Sequence, residues 1–378
     1  MASITAPVPP SSNQDLGQPQ FASHKWVEPI PQPESQSLGL LDQDKLEPFD
    51  EHELSDSSSD DLTKASKYPP KKRQCCGVVF KTPNSSRFAN HRHSRFIQKF
   101  PFLLEMFYWA FNYTIYVSAK GLGELIFSTD GMWELAEKHG IAVLTFEHES
   151  PFSFLFPPRE VAFQQFFLNG RQAMLSFLNR NYSWVHIPAT ISFLTWYYYA
   201  APTHAHFAAV RRMMTLTNIL SFAIFTAWPC MPPRLLPKEY GFFDTVRQDS
   251  AQSVWATGKF FNQLAAFPSL HFGYAFCVGV TMLYHSGIFR RRLGRREKRL
   301  SRFWQVFYLV AGVAYPGFVL TIIVATANHY WLDALAAAFV VGFSWLCNRV
   351  FLVLLPLEDL FLFCLRLEKP EPTTGRSK

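Results

Sequence analysis

The sequence predicts an all-α integral membrane protein of about six transmembrane helices behind a disordered N-terminal tail. Three observations predict it: a polar first quarter without apolar periodicity, a series of long apolar windows after Phe100, and basic residues gathered in alternate connections between those windows. A mean hydropathy of zero over 378 residues hides this division, because it averages a very polar quarter with a very apolar remainder.

Residues 1 to 98 are rich in Pro, Ser, Gln and Asp, as in "VPPSSNQDLGQPQ" and "DEHELSDSSSDDLTK". Such a segment has too little apolar surface to offset the entropy of ordering, so it reads as a disordered cytosolic tail whose Ser/Asp run is a target for phosphorylation. Its start, "MASITAPVPP", has neither a charged n-region nor an apolar h-region. No cleaved signal peptide is expected, and the first apolar span does the targeting.

The apolar windows are 101–118, 184–201, 213–230, 272–289, 303–326 and 331–355. Each is near the roughly 20 residues that cross about 30 Å of hydrocarbon. Together they make a six-span membrane domain over 99–358, followed by a short C-terminal tail, 359–378. The segment 119–183 contains the amphipathic "FQQFFLNGRQAMLSFL" and is expected to lie in the interface rather than to span. Lys and Arg concentrate before the first window, between the second and third, and in "FRRRLGRREKRLSR" between the fourth and fifth. The positive-inside rule then puts the N-terminus in the cytosol and the odd-numbered loops on the luminal or extracellular side. The expected location is multi-pass in an endomembrane (ER or Golgi) or the plasma membrane. The net charge of +7 is mostly topology, so nucleic acid is not an expected partner. The six cysteines form no disulfide framework; Cys75 and Cys76, beside a basic cluster, read either as a palmitoylation site or as plain tail thiols.

Three polar clusters interrupt the windows, and the topology places all of them on the same non-cytoplasmic face. The first, "WPCMPPRLLPKEYGFFDT", carries Arg234; the second, "FPSLH", carries Ser269 and His271; the third, "TANHYWLDA", carries His329 and Asp333. Spacing of four puts His329 and Asp333 on one helical face, where the carboxylate can fix the imidazole tautomer and leave the other ring nitrogen basic. An Asp near membrane depth costs on the order of 2.5–3.5 kcal/mol on insertion scales, which argues against an idle one. Pro268 and Ser269 at a helix start make an anion cradle with the unpaired N–H groups of the first turn. Arg234 supplies a charged fork suited to phosphate oxygens, or else an interfacial anchor.

Taken in order, "PPRLLP", "PSLH" and "HYWLD" resemble the motifs of the type 2 phosphatidic acid phosphatase superfamily, and in particular its branch containing the inositol phosphorylceramide synthases, over roughly 100–355. The resemblance implies His329 as nucleophile, Asp333 as its orienter, His271 as general acid, and Ser269 and Arg234 as phosphate ligands. It implies a lipid phosphate in the bilayer as substrate, water or an alcohol as acceptor, a phosphohistidine intermediate, and no metal or other cofactor. Transfer of phosphoinositol to ceramide, a sphingolipid reaction, is the alternative within the same branch. Departures are visible: two of the family's basic positions fall on Ala227 and Ile323, and the glycine of its second motif is Leu270. Lys238, in the same loop as Arg234, is a substitute phosphate-binding cation. Two readings from other classes compete: a non-catalytic transport or lipid-binding protein, and a metal site built from His271, His329 and Asp333.

Overall fold

The computed structural model describes residues 68–75, 78–127, 131–156, 158–245, 264–288 and 300–374. These are mostly helical. The long helices are α1 (Arg92–Lys99), α2 (Phe102–Phe127), α3 (Met132–Glu149), α4 (Glu160–Leu168), α5 (Gln172–Arg180), α6 (His186–Ala200), α7 (His204–Ala227), α8 (Leu270–His285), α9 (Arg302–Ala325), α10 (Trp331–Cys347) and α11 (Leu355–Cys364). Every apolar window of the sequence is occupied by a helix, because an apolar segment that keeps its backbone bonds internal needs no outside partners.

Among the described residues two stretches are long and apolar enough to cross a membrane: Arg302–Ala325, and Trp331–Cys364, which runs through α10 and α11. Six spans are therefore not established. The 16 residues of α8 reach about 24 Å, short of a hydrocarbon core. In α7 the length suffices, but His204, His206, Arg211 and Arg212 dilute its apolar character.

The expectation of an all-α chain with a tail to residue 98 is corrected by a hairpin. β1 (Lys71–Cys75) pairs antiparallel with β2 (Val78–Thr82), Lys71 facing Thr82. Arg73 grips Asp359 of α11 with two bonds, Nε to Oδ2 at 2.8 Å and a terminal nitrogen to Oδ1 at 3.2 Å, and Thr82 Oγ1 donates to the same Oδ2 at 2.9 Å. Phe88 packs on Phe363, and Ser94 Oγ accepts the Glu368 N–H. Asp359 is buried in this arrangement, so a boundary at 358/359 cuts through a helix. The ordering comes from partners almost 300 residues away, not from local periodicity. Residues 1–67 and Cys76, and with them most of the tail and half of the cysteine pair, lie outside the described residues, as do 246–263 and 289–299.

The main core is shared by α6, α7, α8 and α10, through Tyr197, Phe207, Met213, Cys277 and Val341. Segment 119–183 is not peripheral. Leu175 and Leu178 of α5 pack on Ile322 and Ala325 of α9, and Ala136 and Val143 of α3 pack on Met231 and Tyr330.

Candidate active site

The end of α7, the start of α8, the end of α9 and the start of α10 meet, and the loops between them are laced by backbone bonds. Cys230 and Ala265 form a parallel bridge, which brings the Arg234 loop beside "FPSLH". The Arg234 N–H donates to Ala327 O at 2.9 Å, and the Ser269 N–H donates to Asp333 O at 3.1 Å. Tyr330 Oη donates to Met231 O at 2.9 Å. Gly140 of α3 lies against this last bond: a Cβ there would sit 2.8 Å from both Met231 O and Tyr330 Oη, so only glycine fits.

His329 and Asp333 do meet, though not as two residues on one helical face. Tyr330 is the N-cap of α10, so His329 precedes the helix and Asp333 is its third residue. One carboxylate oxygen, Asp333 Oδ2, accepts the Tyr330 N–H at 2.9 Å and lies 3.2 Å from His329 Nδ1. Nδ1 also lies 2.8 Å from Ala266 O. Both neighbours are acceptors, so Nδ1 carries the hydrogen and Nε2 presents its lone pair. Burial pulls the imidazole down to about 4, with the nearby Arg234 charge in the same direction, so it is neutral at pH 7.

The turn that aims His329 is unusual. Ala327, fully buried, adopts a left-handed φ of 51°, the conformation that ends many helices but that normally favours glycine. It is held from both sides, by its own N–H to Val324 O and by the Arg234 N–H on its carbonyl.

Arg234 is buried. Its Nε donates to Asn328 Oδ1 at 2.9 Å, and a terminal nitrogen lies 3.3 Å from both oxygens of Asp244. Asn328 is itself fixed by donating to Thr326 Oγ1 at 2.7 Å. Ser269 is the N-cap of α8, its Oγ accepting the Phe272 N–H at 3.3 Å, as a Ser at a helix start predicts. The N–H groups of Leu270 and His271 lead that helix and have no carbonyl four residues back. The His271 and His329 rings stand 5.9 Å apart.

Lys238 is exposed on a single 3-10 turn, Lys238–Tyr240, and among the described contacts none joins it to this cluster. Ile323, where the family carries arginine, is fully buried in apolar contacts. Among the described residues the group able to hold a metal is Glu147, His148 and Glu160, not His271, His329 and Asp333.

Sequence reasoning missed Asp244, Asn328, Tyr182 and His186. Tyr182 stacks on His271 with centroids 4.3 Å apart, and the His186 ring lies 5.0 Å from it with both nitrogens unbonded and buried. Both sit at a π-helical segment, Asn181–Val185, that joins α5 to α6. Such bulges are frequent at functional sites. The only sequence signal was "YSWVH", two polar rings four apart in an apolar window.

Residues 153–294 match the family model of the PAP2 superfamily. The match takes in Tyr182, Arg234, Ser269 and His271 and stops before His329 and Asp333. It supports the superfamily reading, and so phosphoryl transfer by a phosphatase or phosphotransferase in general terms, without favouring the inositol phosphorylceramide synthase branch. No curated protein and no solved structure matches the chain.

Proposed function

We propose that this chain is a multi-pass membrane enzyme that removes or transfers the phosphoryl group of a lipid phosphate through a phosphohistidine on His329. The observation that carries the reading is the His329 ring, neutral and held through Nδ1 by Ala266 O and Asp333, with Nε2 free in a site that also holds His271 and Arg234.

In the first step His329 Nε2 attacks phosphorus, the bond to the lipid oxygen breaks, and that oxygen takes a proton from His271. Asp333 stabilises the charge that grows on the imidazole. Arg234, the Ser269 hydroxyl and the leading N–H groups of α8 face the phosphate oxygens. In the second step water or an alcohol gives its proton to His271 and displaces His329 from phosphorus. The buried Asn328 and the partly exposed Asp244 orient Arg234, so the site needs fewer cations than the family motif carries. The lipid tail keeps the ester at the bilayer edge, with the site on the luminal or extracellular face and the N-terminus in the cytosol.

The test offers the purified full-length protein phosphatidic acid, a prenyl diphosphate, or phosphatidylinositol with ceramide, and follows the phosphorus product. Release of inorganic phosphate assigns a phosphatase; a phosphoinositol-ceramide product assigns the transferase. Quenching in alkaline detergent should trap a base-stable, acid-labile phosphoenzyme in the wild type and none in His329→Ala. More than a tenth of wild-type turnover remaining in His329→Ala would sink the proposal.

A further inference from the structure

Where α3 ends and α4 begins, three side chains with metal-ligating atoms converge. Glu147 and His148 stand on the last turn of α3, and Glu160 is the first residue of α4. One donor atom from each lies within 4.8 Å of the other two, and Glu160 Oε2 is 2.9 Å from His148 Nε2. Atoms bound to one small cation at about 2.0–2.2 Å stand roughly 3–3.5 Å from one another, so small side-chain rotations close the set.

Both glutamates are 1% exposed, and each leaves one oxygen without a partner, Glu147 Oε2 and Glu160 Oε1. A buried acceptor with no donor is costly, and here there are two at one point. Charge makes the same demand. Among the described ion pairs no Lys or Arg reaches either carboxylate, and the His148 imidazole is a partner of Glu160 alone. A divalent cation answers both at once, because it takes a lone pair from each carboxylate and balances their two charges. The His148 side chain is 19% exposed, which gives an ion a way in. Imidazole nitrogen beside carboxylate oxygen suits zinc and its first-row neighbours better than magnesium or calcium, whose ligands are oxygens.

We propose that Glu147, His148 and Glu160 bind one first-row divalent cation of the zinc class, through Glu147 Oε2, Glu160 Oε1 and His148 Nε2, with water in the fourth position. His148 then carries its hydrogen on Nδ1 and turns the Nε2 lone pair to the ion, giving up its bond to Glu160 Oε2. Glu147 Oε1 keeps the Leu332 N–H at 2.5 Å, and that bond orients the ligand from behind. The ion fastens α3 to α4 and, through Leu332, fastens both to the start of α10, next to Asp333. Its role is structural: it takes no part in the phosphoryl transfer proposed above and does not depend on it.

The test uses full-length protein in detergent, freed of any histidine tag and purified without chelator. Elemental analysis should find about one zinc per chain, and His148→Ala and Glu160→Gln should each lose it. Added EDTA should lower the unfolding temperature of the wild type, and excess zinc should restore it in a concentration-dependent way where magnesium does not. The chelation arm needs no variant, so it decides the matter even if a variant fails to fold. Zinc retained in both variants would overturn the site. So would a wild type that holds none after dialysis against zinc and whose unfolding temperature neither EDTA nor zinc moves. Restoration by magnesium as fully as by zinc would overturn the class of ion. Metal content is read without any phosphoenzyme on His329, so the two proposals can fail separately.

Discussion

At the residue scale the site turns on His329, whose imidazole is neutral above about pH 4 because burial opposes its protonation. Histidine-labelled protein, with the signal assigned by His329→Gln, should show this ring titrating near 4 rather than near the ordinary 6.5. The unfolded chain takes up that proton near 6.5 and the folded chain does not until about 4. This residue therefore lowers stability as pH falls through that window, and His329→Gln should flatten the trend. Asp333→Asn keeps the shape of the carboxylate and loses its charge, and turnover should fall by up to about 10⁴, as for a comparable orienter. Asp244 sits against the Arg234 guanidinium, where it both holds the fork and repels an incoming anion. Vanadate inhibition should tighten several-fold in Asp244→Asn and weaken in Arg234→Ala; equal weakening in both would mean that orientation outweighs repulsion.

At the element scale the helices were legible and their joints were not. Ser269 announces the start of α8 because a Ser side chain accepts an N–H that the first turn cannot otherwise satisfy. Nothing local announces the π segment at Asn181–Val185, which depends on how α5 and α6 are held against α9 and α8. The close approach of α8 and α9 is likewise a tertiary fact. Gly279 faces Gly312 across it: a Cβ on Gly279 would lie 2.6 Å from Gly312 O and 2.9 Å from Pro316 Cγ. Backbone and proline ring cannot swing aside, so Gly279→Ala should destabilise by about 1–3 kcal/mol, read as a lower unfolding temperature in detergent. Because α8 carries His271 and α9 leads into His329, activity should fall more than the loss of folded protein explains.

At the scale of the whole molecule, residues 71–99 are fastened to the chain's other end. Arg73 makes a bidentate pair with Asp359, the carboxylate almost fully buried and the arginine partly exposed. Charged hydrogen bonds of this kind contribute about 1.5–3 kcal/mol, and Arg73→Ala should lose an amount in that range by reversible unfolding. Deletion through Lys99 should cost more, since it also uncovers Phe363 and removes Thr82 from Asp359. A truncation at that point with unchanged unfolding temperature would show the hairpin to be an ornament.

The sequence by itself determined the helical windows, the order of the three polar clusters, and the residue types at His271, His329, Asp333, Ser269 and Arg234. Those properties are local: apolar length, capping chemistry and motif spacing act within a few residues. Only the tertiary structure decided which neighbours tune them. It placed Asn328 and Asp244 on Arg234, Tyr182 and His186 beside His271, and the Glu147 carboxyl on the Leu332 N–H next to Asp333. It also made the segment from β1 to α1 part of the fold. Each of these depends on burial, where a polar group without a partner is costly, and burial is settled by residues that the chain brings together from far apart.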